Sequence, residues 1–222
     1  MSITQTYLNT SISELKTFLG ALVPDYFASV EYTDNNNTGI TCKDSDGNTV
    51  FTVAVDNSNW TYTAYADSEN YVSKTSSYAK PVYGYVCSNG AMILGAGNAS
   101  TISDATNLRF SVVISKTNNN KTGFAIAVSS SASTFTDLYN NFVTGVWGDV
   151  TPLTSSYNYG SGVTNQTQTQ MFPFVTHCAL GEKSYFPNAF FIPVAQTRTV
   201  FGELVADGVS YVTNGYWAIK DE

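Results

Sequence analysis

The sequence predicts a mainly β protein: antiparallel hairpins forming a sandwich or barrel-like body behind one N-terminal helix, with an α+β arrangement as the alternative. Three observations lead there. Apolar residues alternate with polar ones through most of the chain, turn residues such as Asn-Gly and Asp-Gly divide those runs, and only the first segment has a helical period. Composition agrees, since 15 Tyr, 13 Phe and 16 Gly accompany only 12% charged residues, against roughly 25% in an ordinary soluble domain.

The helix comes first. Ser11 followed by Glu14 fits a capping box, in which the serine oxygen takes a free backbone N–H and the glutamate reaches back to the cap. Ile12, Leu15, Phe18, Leu19 and Leu22 recur on one face, and Pro24 stops the run. The stripe is too short for a self-sufficient coiled coil, so it is expected to pack on the protein's own sheet, with a subunit contact as the alternative.

After Pro24 the period becomes two. Phe51, Val53 and Val55 form one strand and Trp60 and Tyr62 the next, joined by a turn over Asp56 to Asn59. Tyr83, Tyr85 and Cys87 pair with Ala91 and Ile93 across Ser88-Asn89-Gly90, where Asn-Gly suits the positive φ of a tight hairpin. Phe110, Val112 and Ile114 pair with Phe124, Ile126 and Val128 across the Lys116 to Thr122 loop. Asp67 to Lys80 breaks this rhythm and reads as a loop with a single turn, or a short helix. Phe135 to Trp147 fits strand and helix equally.

Three regions follow: a helix plus antiparallel β body over 1–150, a polar extended connection over 151–170, and a C-terminal β meander over 171–222. The connection carries Ser, Thr, Asn, Gln and Gly without a charge, and so long a loop is usually a linker or functional. Beyond it, Pro173, Pro187 and Pro193 mark edge strands or strand ends. The meander runs Val200 to Val205, Val209 to Thr213 and Tyr216 to Ile219, with turns at Asp207-Gly208 and Asn214-Gly215.

Charge and segment statistics narrow the partners. A net charge of −7 repels phosphate, and no Lys/Arg cluster offsets it, so direct nucleic-acid binding is not expected. No apolar run reaches the roughly 18–20 residues of a membrane helix. Met1 to Gly20 lacks the basic start and continuous apolar core of a secretory signal.

Catalytic and metal motifs are equally scarce. Cys42, Cys87 and Cys178 are odd in number and widely spaced, which suggests buried thiols rather than a disulfide framework or zinc site. The sole histidine, His177, adjoins Cys178, but neighbours in a strand point to opposite faces and cannot form a thiol–imidazole pair. Asp44-Ser45-Asp46-Gly47-Asn48 is similar to the front of a calcium loop, yet Val55 stands where the closing Glu belongs, so it reads as a plain turn. Gly95 to Ser100 lacks the acidic partner of a dinucleotide fingerprint and reads as a loop. Catalytic, cofactor and metal residues are therefore assigned to none. The candidate ligand or interface contacts are the aromatic residues Tyr157, Tyr159, Tyr185 and Phe186, because such rings stack on sugars and anchor interfaces at low entropic cost.

Two segments carry a resemblance. The stretch Leu108-Arg109-Phe110-Ser111-Val112-Val113-Ile114-Ser115-Lys116-Thr117-Asn118-Asn119-Asn120-Lys121-Thr122-Gly123 and the stretch from Asp207 to Asp221 resemble small virion structural proteins of tailed bacteriophages and prophages of gut bacteria. The resemblance spans about a sixth of the chain and transfers no functional residue. It implies a head, neck, tail or baseplate component repeated by symmetry, and the reading taken is a non-enzymatic tail, neck or baseplate protein that forms a homo-oligomer and contacts other virion proteins, assembled in the host cytoplasm. The alternatives are a glycan-binding adhesin or receptor-binding module directed at a host surface glycan, and a cell-wall hydrolase.

Overall fold

The structure is a computed structural model and describes residues 3–65, 71–96, 102, 108–128, 144–145, 148–149, 151–152, 172–177, 183–191, 202–206, 208–213 and 217–221. These form one helix, α1 (Ile12–Gly20), and eighteen strands. In chain order the strands are β1 (Thr4–Tyr7), β2 (Ser29–Tyr32), β3 (Gly39–Lys43), β4 (Thr49–Asp56), β5 (Asn59–Tyr65), β6 (Tyr71–Ser76), β7 (Lys80–Cys87), β8 (Gly90–Ala96) and β9 (Phe110–Lys116). Then come β10 (Thr122–Val128), β11 (Thr144–Gly145), β12 (Gly148–Asp149), β13 (Thr151–Pro152), β14 (Phe172–His177), β15 (Lys183–Phe191), β16 (Gly202–Ala206), β17 (Val209–Thr213) and β18 (Trp217–Asp221).

The strands form three antiparallel sheets. A central sheet has the order β1-β7-β8-β9-β10-β11-β12, a first outer sheet β2-β3-β4-β5-β6, and a second outer sheet β13-β14-β15-β18-β17-β16. The sheets do not close into a barrel; they stack. Alternation along β9 explains how: Phe110, Val112 and Ile114 enter the large core shared with the first outer sheet, while Ser111, Val113 and Ser115 point the other way and are buried as well. A strand buried on both faces needs a cover on each side.

The two interfaces of the central sheet are packed differently. Toward the first outer sheet, aromatic rings interleave: Phe51 stacks on Phe124 at 4.8 Å between ring centroids, and Tyr62 on Phe110 at 4.0 Å. Tyr62 is fully buried, and its hydroxyl donates to the Ala79 carbonyl at 2.7 Å, so its one polar atom is satisfied. Toward the second outer sheet, glycines set the closest approaches beside the buried Met92, Leu94 and Val113. A Cβ at Gly90 would lie 3.2 Å from Ile219 of β18 and 2.5 Å from the Ile114 carbonyl, and one at Gly123 would lie 2.6 Å from the Phe186 ring of β15.

The helix closes one end of the large core. Leu15, Phe18, Leu19 and Leu22 are buried in it, and Phe18 lies on Gly84 of β7, where a Cβ would overlap the ring. The apolar stripe therefore packs on the protein's own sheet, as its length implies. Only half of the expected capping box forms. Ser11 Oγ accepts from the Glu14 N–H at 3.4 Å, whereas the Ser11 N–H donates to the Leu8 carbonyl. The regular helix ends at Gly20, and a turn carries Leu22 into the core.

The long hairpins follow the sequence reading. Phe124 faces Ile114, Ile126 faces Val112 and Val128 faces Phe110; Val53 faces Tyr62 and Val55 faces Trp60. The meander is also present, with Gly208 at φ +78° between β16 and β17.

Other expectations need correction. Asp67 to Lys80 is neither a helix nor merely a loop, since Tyr71–Ser76 forms β6 against β5. Its few apolar residues hid it: this strand is held by hydroxyl pairs, Thr61 with Thr75 at 2.8 Å and Thr63 with Ser73 at 2.9 Å. The polar Thr4–Tyr7 segment is likewise a strand, β1, along β7. Pro187 lies inside β15, between β14 and β18, rather than at an edge or end. It is tolerated because the β14–β15 register shifts between Pro173 and Val175, leaving Pro187 without a ladder partner there. Gly95 and Ala96 belong to β8, not to a loop. The hairpin at Ser88-Asn89 forms without positive φ at Asn89 or Gly90, so Gly90 serves close packing instead. Within Phe135–Trp147 the described residues contribute β11, and within 151–170 they contribute β13; the remainder of both lies outside the described residues.

Candidate functional site

At one end of the first sandwich, two hairpin turns and the chain after the helix enclose a groove of about 920 Å³. One wall is the β3–β4 turn. Asp44 builds it: Oδ1 accepts from the N–H groups of Asp46 (3.0 Å) and Asn48 (2.8 Å), Oδ2 accepts from Asn48 Nδ2 (3.2 Å), and Gly47 takes φ +82°. An aspartate folding its own backbone into a turn is the local role this residue type favours. The calcium-like spelling is thus a turn, with both Asp44 oxygens engaged inside it.

The opposite wall is the β9–β10 turn. Asn120 sits at φ +59°, the Thr117 N–H donates to the Lys121 carbonyl, and Thr117 Oγ1 accepts from the Lys121 N–H. Lys116 turns inward. Its Nζ lies 5.4 Å from the Tyr26 ring centroid and donates to Thr122 Oγ1 at 3.1 Å, and that hydroxyl donates to the Tyr26 carbonyl at 2.6 Å. Burial pulls the Lys116 ammonium below its ordinary value, with Asp25 acting in the opposite direction. Burial likewise pushes the Tyr26 phenol up to about 12. Tyr26 is thereby clamped, ring and backbone, with part of the ring still exposed.

Asp46, Asn48, Asn120 and Lys121 are exposed at the lips of the groove, and Tyr65 is half-buried along it. Tyr65 directly faces Tyr71 across β5 and β6, with ring centroids 5.7 Å apart, and Tyr71 is 58% exposed. The site thus combines aromatic surface, one carboxylate lip, one ammonium lip and several amides and hydroxyls.

Of the candidate contacts singled out from sequence, the two that are described do not line this groove. Phe186 is fully buried under Gly123, so it is a packing residue and not an exposed contact. Tyr185 belongs to β15, opposite Val175. Tyr157 and Tyr159 lie outside the described residues. His177 closes β14 opposite Lys183, and Cys178 lies outside the described residues.

The two described thiols are buried and free, as the cysteine spacing implies. Cys42 sits in the large core, where burial drives its thiol far above the ordinary range. Cys87 is pushed up to about 11, chiefly by burial; its Sγ lies 3.5 Å from the Gly90 carbonyl and 3.9 Å from that of Lys220. Thiols held protonated in this way are poor nucleophiles.

The chain matches no protein-family model, no curated protein and no solved structure. The groove's polar lips were visible in the sequence, in the Asp44–Asn48 turn and the Lys116–Thr122 loop, but Tyr26 and Tyr65 carried no signal of their own, and nothing there says that two turns some seventy residues apart share one end of a sandwich.

Proposed function

We propose that this chain is a non-enzymatic structural subunit of a tailed-bacteriophage virion, at the tail, neck or baseplate, acting through symmetric protein–protein assembly. The observation that carries this reading is the central sheet covered on both faces. Its stacked layers make a stiff body whose described thiols are withdrawn from solvent. The surface offers sheet edges instead. Among the described residues β16 pairs only with β17 and carries Val205 at 61% exposure, while β1 pairs only with β7 and carries Tyr7 at 46%. Short edge strands bearing exposed apolar side chains are natural places for neighbouring subunits to dock.

Two measurements test this reading together. Mass spectrometry of purified phage particles should find the chain as a stoichiometric component, and electron microscopy of the purified protein should show rings, trimers or tubes. A protein that stays monomeric at high concentration and is missing from particles overturns it.

A second reading, a glycan-binding or receptor-binding module, is favoured by one observation, the tyrosine-lined groove.

A further inference from the structure

We propose that the groove between the β3–β4 and β9–β10 turns binds a neutral, hydroxyl-rich oligosaccharide, with Tyr26 and Tyr65 as stacking faces and Asp46 and Lys121 as hydrogen-bonding lips. The inference rests on the second reading above and is independent of where the protein sits in a particle.

Four observations select the ligand class. The groove, about 920 Å³, falls within the roughly 300–1,000 Å³ of small-molecule sites. Its walls carry opposite charges, Asp46 on one turn and Lys121 on the other, so a polyanion or a polycation meets repulsion on one side. The two most engaged charged groups are committed within the fold: Asp44 to its own turn, and Lys116 to Tyr26 and Thr122. What remains is a set of exposed carboxylate, ammonium and amide groups beside part-exposed rings.

A sugar hydroxyl both donates and accepts, so a single ligand type serves Asp46, Asn48, Asn120 and Lys121 together. The C–H faces of a pyranose match the exposed sides of the Tyr26 and Tyr65 rings, and Tyr71 beyond Tyr65 lengthens that aromatic surface. An apolar ligand would strand these polar groups without partners. Tyr26 is pre-organised by Lys116 and by the Thr122 hydrogen bond, which lowers the ordering cost of binding.

The test is calorimetric titration of the full chain with cellohexaose, chitohexaose and mannohexaose, and with a heparin-derived hexasaccharide as the anionic comparison. At least one neutral hexasaccharide should bind, and Tyr65→Ala and Asp46→Ala should each weaken it about tenfold. Both substitutions lie at or near the surface, and an unchanged melting temperature establishes that the variants are folded. Saturable neutral-glycan binding that survives both substitutions but falls with Tyr157→Ala overturns this site while leaving the glycan-binding reading intact. Tighter binding of the heparin fragment overturns the neutral ligand class while leaving the glycan-binding reading intact, and no binding of any hexasaccharide overturns the site and that reading together.

Discussion

The Phe186 ring of β15 occupies the space in which a side chain at Gly123 of β10 would begin: a Cβ there would stand 2.6 Å from Cε1 and 2.8 Å from Cζ. Glycine lets the central sheet approach the second outer sheet closely enough for the ring of a fully buried phenylalanine to rest against it. Gly123→Ala should therefore force the ring or the strand to move and cost about 1–3 kcal/mol. Urea denaturation measures it. Pairing the change with Phe186→Leu should recover part of the loss, because the two effects share one space, and strictly additive losses would show that the contact is not the cause.

Asn89 joins the same two sheets through polar contacts. Its carbonyl accepts from Ser115 Oγ at 2.8 Å, its Oδ1 accepts from Asn188 Nδ2 at 3.0 Å, and its Nδ2 donates to the Lys220 carbonyl at 3.0 Å. The adjacent Ser88 N–H donates to Asp221 Oδ1 at 3.0 Å. Asn89→Ala removes the side-chain contacts and leaves the part-buried Lys220 carbonyl without that donor, a loss of about 1–3 kcal/mol. Hydrogen exchange should quicken in β18 while β4 and β5 keep their protection. Equal quickening in all three strands would mean that Asn89 does not act at this interface.

Alkaline pH should destabilise the fold. Burial raises the Cys42 thiol and the Tyr62 phenol, lifts Cys87 to about 11, and takes Tyr26 and Tyr85 to about 12. These groups keep protons that the unfolded chain releases near the ordinary values of 9.0 and 10.0. With fewer protons on the unfolded state, stability falls as pH rises. It is fully present below the ordinary thiol value and is lost progressively as pH climbs through the folded-state values. Melting temperatures recorded between about pH 8 and pH 11 should decline, and Cys42→Val should flatten part of that decline. A constant melting temperature over the range would falsify this account.

At the start of α1, Ser11→Ala removes the hydroxyl that accepts from the Glu14 N–H. That bond is long, at 3.4 Å, so the expected cost lies at the lower end of capping effects, about 0.5–1 kcal/mol. Ser11→Asp should restore or exceed the original stability, since a carboxylate caps the N–H and also suits the positive end of the helix. Thermal denaturation of the two variants decides it, and identical melting points would remove the cap from the explanation.

Much of this architecture is legible in the sequence because a short-range pattern carries it. The period-two runs at Phe51 to Val55 and Phe110 to Ile114, the 3.6-residue stripe from Ile12 to Leu22 and the Asp207-Gly208 turn each state their own local geometry. β1 and β6 escaped notice because edge strands bury little and so lose the alternation that marks a strand. The groove escaped notice for a different reason, since it arises only where two turns meet.

From sequence alone came the β class, the helix with its buried stripe, the pairing within hairpins and the free thiols at Cys42 and Cys87, all consequences of neighbouring residues and of side-chain chemistry. Only tertiary structure decided that the sheets stack in three layers, that Phe186 is core and that Tyr26, Tyr65, Asp46 and Lys121 line one groove. The physical reason is that hydrophobic burial is non-directional: an apolar face states that it must be covered, whereas which sheet covers it depends on the long-range fit of shapes such as Gly123 against Phe186.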